Sequence, residues 1–427
     1  MPTSEEPLTF EHVPCPFCGL LCDDLQVQVA GSAVEILAGR CPRSEAGFSA
    51  AGEGTPRIAG TPVPLEEAIR RAGDLLGAAR RPVIGGLGTD VGGVRAVLAL
   101  ADRIGATLDH VNGHNLHANV RVLQDRGWVT TTLGEVRNRA DLVVVLGSEL
   151  FADFPRLIER VIAPASAMQT EALQARRLVV LGGPPEWAAP DTDLPVHYQS
   201  APMERLGELL SVLRCLVNDR PLQADGVAGL PVDSLRPLAG QMRQASYGVL
   251  IWSAAAFADA HADLTVQCAA GLIEDLNQER RFAGLPLAAG DGDMSAYQVC
   301  TWQTGYPLRV DLAGGYPRYE PYHLSTARTL ADGADALLWI SAFNAGHTPP
   351  DTGVPTVVVG RPDLRLARQP QVYIPVGVPG VDHAGAAFRG DAAVCLPLRG
   401  LRGTSLPSTA EVAQAISARI TSREAPC

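Results

Sequence analysis

Four cysteines crowd into the first 41 residues: Cys15-Pro-Phe-Cys18-Gly-Leu-Leu-Cys22-Asp-Asp, then Cys41 in Gly39-Arg-Cys41-Pro-Arg43. The C-x2-C-x3-C run lets one tight loop aim three thiols at a single point. The fourth follows after eighteen intervening residues, beyond a predicted hairpin of residues 25–29 and 33–37 turning at Ala30-Gly31-Ser32. Four thiolates around one centre suit a [4Fe–4S] cluster or a tetrahedral zinc, so Cys15, Cys18, Cys22 and Cys41 are the candidate metal ligands. An unoccupied cysteine knot and a set of unrelated buried thiols are the two bland readings of the same spacing.

The rest of the chain excludes several classes. It has 427 residues, a net charge of −11 and only 5% aromatic residues. That acidic balance argues against nucleic-acid binding, which needs clustered Lys and Arg on phosphate. No run approaches the roughly eighteen apolar residues of a membrane span. The opening Met-Pro-Thr-Ser-Glu-Glu-Pro is acidic and has no hydrophobic signal core. A cytoplasmic location is expected, where thiols stay reduced and clustered cysteines favour metal over disulfide.

Beyond Gly54-Thr-Pro56 helix and strand patterns alternate. Residues 64–76 place Leu65, Ala68, Ile69, Ala72, Leu75 and Leu76 on one helical face. Short strands are predicted at 81–85, 106–111, 141–146 and 177–181, with helices at 94–104, 133–140 and 203–216 between them. A Pro/Gly/Asp-rich stretch, 218–235, reads as a linker or exposed excursion. Strands follow at 247–252, 335–340, 356–359 and 372–374, with helices at 261–277 and 408–420. Short, wholly apolar strands between helices mean parallel, doubly wound sheets covered on both faces. The expected fold is α/β: a small cysteine-rich β region (1–55), a first lobe with its linker (56–235), and a second lobe with a closing helix (236–427).

Three other features could carry chemistry. Gly85-Gly-Leu-Gly88-Thr-Asp-Val-Gly-Gly93 lies between a strand and a helix, where a phosphate can rest on backbone N–H groups. Val91 falls where the third glycine of G-x-G-x-x-G belongs, so a tight structural turn is the better reading. His110-Val-Asn-Gly-His114-Asn115-Leu-His117 follows a strand's carboxyl end. Its three imidazoles suit a metal or, more plainly, a polar pocket or a contact between chains. His197 and His261 read as surface or packing residues. No acidic pair, nucleophile elbow or H-E-x-x-H motif is present.

Four stretches carry a resemblance: Cys18-Gly-Leu-Leu-Cys22-Asp-Asp; Leu123-Gln-Asp-Arg-Gly-Trp128 with Thr132-Leu-Gly-Glu-Val-Arg-Asn-Arg-Ala-Asp-Leu142; Tyr297-Gln-Val-Cys-Thr-Trp-Gln-Thr-Gly-Tyr-Pro-Leu-Arg-Val-Asp311 with Gly315-Tyr-Pro-Arg-Tyr319; and Val381-Asp-His-Ala-Gly-Ala-Ala-Phe-Arg389. On these the chain resembles the B subunit of formylmethanofuran dehydrogenase, in the molybdopterin oxidoreductase superfamily, nearly end to end. The resemblance implies a tungsten or molybdenum pterin between two lobes, beside a [4Fe–4S] cluster on the four N-terminal cysteines. It also implies that the superfamily's pterin-covering β-barrel lies on another subunit.

Two departures redirect the expectation. The family places a Cys-His pair, the Cys being the metal ligand, at positions that are Asn115 and Leu116 here. No cysteine lies between Cys41 and Cys215. An amide is a poor anchor for a soft, high-valent metal, and leucine relays no proton. Cys41-Pro-Arg also stands where the family has Cys, a basic residue and glycine. The pattern is similar to the B subunit of the bacterial formyltransferase/hydrolase complex, for which the resemblance implies formate release rather than redox chemistry. The expected role is a non-redox structural subunit in tetrahydromethanopterin-linked oxidation of formaldehyde to formate. Its expected partners are the other chains of that complex, which are amidohydrolase-like, formyltransferase-like and similar to the dehydrogenase's C subunit. A [4Fe–4S] cluster or zinc is expected at the N-terminal cysteines, and no molybdopterin or tungstopterin. The alternative is an active tungsten or molybdenum dehydrogenase subunit, and a third class is an independent α/β metal-binding module.

Overall fold

The computed structural model describes residues 7–188, 191–257, 261–278, 280–288 and 290–420. The acidic start, residues 1–6, lies outside them. The chain forms two compact units, one made of residues 1–113 with 290–427 and the other of residues 114–289. This corrects the sequential division at residue 235. The strand Tyr247–Trp252, expected to open a second lobe, runs parallel to Leu142–Leu146 with Gly248 opposite Leu142. The strand Ala336–Ser341 pairs instead with Pro82–Gly88, far earlier in the chain. Apolar runs announce buried strands but not which neighbours they take.

The first unit holds a nine-stranded mixed sheet. Its parallel core runs Thr107–Leu108, Pro82–Gly88, Ala336–Ser341, Thr356–Gly360, Val372–Pro375. In chain order that is 2-1-3-4-5, a doubly wound arrangement whose switch point falls between Pro82–Gly88 and Ala336–Ser341. Two-residue antiparallel strands close both edges: Val310–Asp311 and Arg318–Tyr319 at one, Arg57–Ile58 and Thr61–Pro62 at the other. Every residue of the four longest strands is buried, as expected when helices cover both faces. The helix Val91–Ile104 begins at Asp90, whose carboxylate accepts the Gly92 and Gly93 N–H groups, and ends on Gly105 in the left-handed region. Thr409–Arg419 opens with a Ser408–Glu411 capping box. Its end is fixed where Arg103 donates through Nε to the Ile420 carbonyl at 2.7 Å.

The cysteine-rich segment belongs to this unit. It forms its own antiparallel sheet of Leu8–Val13, Leu25–Ala30 and Ala33–Ala38, and the predicted hairpin is its second and third strands.

The second unit holds a five-stranded, wholly parallel sheet, Val196–Gln199, Arg177–Leu181, Leu142–Leu146, Tyr247–Trp252, Arg281–Pro286. Its order, 3-2-1-4-5, is again doubly wound. Leu206, Leu209, Leu210 and Leu213 on the helix Leu206–Val217 are fully buried against Val266 and Ala269 of Ala262–Leu276. Each such leucine contributes roughly 1.5–3 kcal/mol. Most of the stretch 218–235 is exposed, as its composition suggests, but it is anchored to the core at a few apolar residues. It contains the strand pair Gly226–Val227 and Leu230–Pro231, and Val227, Val232 and Leu235 are buried in the core. No described helix is long and apolar enough to cross a membrane.

Candidate functional site

The cysteine loop is closed by its own backbone. Cys15 N–H donates to the Cys22 carbonyl at 2.8 Å, and Leu21 N–H returns to Cys18 at 3.2 Å. Leu21 takes a left-handed φ of 48° to make the turn. Cys15, Cys18 and Cys22 are buried. Burial pushes the Cys15 thiol up, and the charges of Cys18, Cys22 and Cys41 push the same way. Cys18 is likewise raised by burial and by Cys41, while Arg43 works against the rise. Cys41 caps the helix Pro42–Phe48: its Sγ accepts the Ser44 N–H at 3.4 Å while Ser44 Oγ accepts the Cys41 N–H at 2.8 Å.

A second cluster, which the sequence did not announce, sits where the first unit's sheet changes direction. Open α/β sheets hold ligands in the crevice at this point, but here the loop Gly290-Asp291-Gly292 fills it. A Cβ on Gly292 would stand 2.2 Å from the Thr89 carbonyl oxygen and 3.2 Å from the Phe343 ring. The loop rests on backbone that glycine adopts easily, with φ of 113° at Gly290 and 70° at Gly292. It also touches the cysteines, since a Cβ on Gly290 would lie 3.0 Å from Cys18 Cα. Phe17, inside the cysteine loop, meets Phe343 edge-on with centroids 6.4 Å apart. The glycine-rich turn is therefore structural, because Asp90 takes its amides and the loop takes its space.

Buried polar groups line this loop. His110 Nδ1 accepts the Asn112 N–H at 3.0 Å, which leaves Nε2 to donate to the Asp291 carbonyl at 3.2 Å. That neutral tautomer agrees with a pKa pulled down to about 4 by burial. His347 Nδ1 ion-pairs with Asp291. Burial opposes charge on this imidazole, yet the hydrogen bond and charge of Asp291 prevail and its pKa rises. Asp293 accepts the Gly290 N–H at 3.0 Å, and burial pushes it up to about 7. Asp109 closes the cluster's edge, accepting from Arg309 Nε at 3.3 Å and from the Thr326 N–H at 2.8 Å. Asp291, Asp293, Asp109 and His347 were missed by sequence reasoning, and the Gly290-Asp-Gly-Asp293 run was the available signal for a special turn.

The three imidazoles of 110–117 do not make one site. His110 belongs to the Asp291 cluster. His114, Asn115, Leu116 and His117 lie at the start of the helix Gly113–Asp125, with His114 exposed and Leu116 and His117 buried. Among the described residues no group of three or more His, Cys, Asp or Glu side chains is arranged to hold a metal ion. The four cysteines are of the residue type that thiolate ligation uses and Arg43 lies close enough to favour charge on Cys18, but the burial that raises Cys15 and Cys18 favours their neutral thiols. A pterin metal fits less well, since Asn115 and Leu116 offer neither thiolate nor imidazole. His197 and His261 are exposed.

No protein-family model matches the chain. Individual relatives do. It is 29% identical over 399 residues to the B subunit of the tungsten-containing formylmethanofuran dehydrogenase 2 of Methanocaldococcus jannaschii, covering 89% of this chain and 91% of that one. It is 29% identical over 369 residues to the Fhc B subunit of the formyltransferase/hydrolase complex of Methylorubrum extorquens, covering 86% and 97%. A crystal structure of that complex, FhcABCD with methylofuran, contains a chain that superposes with a TM-score of 0.73 at 28% identity, over 86% of this chain and 98% of that one. A cysteine-rich β region joined to two doubly wound units is thus the α/β architecture of a chain similar to the B-type subunits of these relatives. In particular, the chain is a homologue of the B subunits of formylmethanofuran dehydrogenase and of the Fhc complex.

Proposed function

We propose that this chain is the B subunit of a formyltransferase/hydrolase complex and serves it as a structural, non-redox component. Overall identity does not choose between the two kinds of relative, since both stand at 29%. One observation carries the choice. Asn115 and Leu116 occupy the first turn of Gly113–Asp125, where the dehydrogenase resemblance calls for a metal-binding Cys and a His. An amide is a neutral donor and lacks the negative charge that a thiolate would bring to a high-valent tungsten or molybdenum, so it holds such a metal poorly.

Formyl transfer and hydrolysis then belong to the companion subunits, in tetrahydromethanopterin-linked oxidation of formaldehyde to formate, in the cytoplasm. Cys15, Cys18, Cys22 and Cys41 would hold a [4Fe–4S] cluster or zinc that staples a region too small to fold on its own. The test is an assay of the purified assembly with formyl substrate and a redox dye. Formate release without dye reduction is expected. Dye reduced in step with formyl consumption would favour the second reading, an active tungsten or molybdenum dehydrogenase subunit, which the similarity to the tungsten-containing relative keeps in play.

A further inference from the structure

Three successive residues at the first unit's switch point lie in the left-handed region: Gly290 at φ of 113°, Asp291 at 58° and Gly292 at 70°. Glycine takes that backbone freely, but the aspartate between the two glycines is held there against its preference. Such a turn persists only while its surroundings fix it.

Polar contacts do the fixing. His110 Nε2 donates to the Asp291 carbonyl at 3.2 Å, and Asn112 Nδ2 donates to the Gly290 carbonyl at 3.2 Å. The Asp293 carboxylate accepts the Gly290 N–H at 3.0 Å and the Met294 N–H at 2.6 Å. The Asp291 carboxylate holds the His347 imidazole, and Trp339 Nε1 anchors that residue by donating to its carbonyl at 2.9 Å.

Two of these contacts change charge near neutrality, and in the same sense. Asp293 is 2% exposed. Burial raises its carboxyl to about 7 and the Asp291 charge adds to the rise, while the Gly290 and Met294 N–H groups and Asn112 work against it. Burial lowers His347, but the hydrogen bond and charge of Asp291 outweigh burial and raise it. Asp293 adds to that rise and Arg43 opposes it. Both folded-state values stand above the ordinary ones, so both groups support the seated loop at acidic pH. That support is withdrawn as pH rises, by Asp293 through about 7 and by His347 above the ordinary imidazole range. Rising pH thus adds a negative charge at Asp293 and removes a positive one at His347, around one strained turn.

The other titratable and charged groups around the turn do not compensate. His110 stays neutral across this range, pulled down to about 4 by burial, and burial also keeps the Tyr297 hydroxyl neutral. Asp109 is engaged with Arg309, and Asp90 with the Gly92 and Gly93 N–H groups.

We infer that residues 290–293 are a pH-gated strap over the first unit's crevice, seated under mildly acidic conditions and lifted above neutrality. Lifting frees the space that Gly292 fills beside the Thr89 carbonyl and the Phe343 ring, where open α/β sheets take ligands. Hydrogen exchange of the full chain at about pH 6 and about pH 8.5, corrected for intrinsic rates, tests it. Protection of the peptide spanning Gly290–Met294 is expected to fall about tenfold or more at the higher pH, while the strands Pro82–Gly88 and Ala336–Ser341 keep theirs. Asp293→Asn, uncharged throughout, is expected to confine that fall to about threefold or less. His347→Gln lacks the imidazolium at either pH and is expected to be about threefold less protected there than the unaltered chain at about pH 6. Equal protection at both pH values in the unaltered chain overturns the strap, as does a fall shared equally by the two core strands. A full fall in Asp293→Asn overturns it too. If that variant does not fold, His347→Gln decides: protection equal to that of the unaltered chain under the acidic condition overturns the strap.

Discussion

Arg402 and Asp382 form an ion pair at 2.7 Å that is almost wholly buried, the side chains being 4% and 0% exposed. Asp382 also accepts the Val378 N–H at 2.8 Å. Arg402 reaches across to the cysteine-rich segment, donating to the carbonyls of Ser32 at 3.0 Å and Ala50 at 2.8 Å. The same guanidinium thus ties residues near the end of the chain to those near its start. Arg402→Met leaves Asp382 buried without its counter-charge and is expected to cost about 3–5 kcal/mol in denaturant unfolding. Hydrogen exchange should accelerate first between residues 14 and 50. A loss under about 1 kcal/mol, with exchange unchanged there, would show that the tie is not structural.

The Gly290–Asp293 loop makes a pH prediction whose sign is fixed by burial. Asp293 is raised to about 7, so its contribution to stability is present below the ordinary carboxylate range and is lost as pH rises through about 7. His110 is lowered to about 4, so its contribution is present above the ordinary imidazole range and is lost as pH falls toward 4. The two oppose each other through mildly acidic pH. Asp293→Asn removes only the first, so the variant's Tm minus that of the unaltered chain should grow more positive from pH 4 to 7. A difference that stays flat would mean Asp293 titrates normally.

Gly292→Ala asks whether the crevice is as full as described. The substitution forces φ of 70° on a residue with a side chain and sets its Cβ 2.2 Å from the Thr89 carbonyl oxygen. The conformation alone costs about 1–2 kcal/mol, and the overlap with backbone should bring the total above about 2 kcal/mol. Gly229→Ala has φ of 83° but nothing within 4 Å, and should show only the conformational part. Equal losses for the two would contradict a filled crevice.

What the sequence made legible was local. Leu142–Leu146, Arg177–Leu181 and Thr356–Gly360 read as strands because burial on both faces leaves little room for polar side chains. The hairpin after Cys22 was legible from its turn and alternation. The pairing of Tyr247–Trp252 with Leu142–Leu146 was not, because a parallel neighbour is chosen by packing about a hundred residues away. The spacing of Cys15, Cys18, Cys22 and Cys41 is legible because it is a local pattern. Asp291 and His347, far apart in sequence, meet only through the fold; the Gly-Asp-Gly-Asp run signals a turn at Asp291 but not its partner. Arg309, at φ of 74°, is held against its backbone preference by Asp109, and no pattern in Pro-Leu-Arg-Val foretells that.

The cysteine loop yields a prediction about metal. If thiolates hold a cluster or zinc, Cys18→Ser should lower the metal content of the purified protein and reduce protection from exchange across residues 14–41, with a loss of several kcal/mol in that segment. Full metal content together with an unchanged melting curve would count against a metal staple there.

The central claim is that the thiolate needed to grip a pterin metal is missing at Asn115. Elemental analysis of the intact, active assembly tests it most directly, by measuring tungsten and molybdenum per copy of this chain. Less than about 0.1 atom of either per chain is the expected result, given the poor donor set at that turn. A stoichiometric tungsten or molybdenum atom, lost together with activity on Asn115→Ala, would contradict a non-redox role.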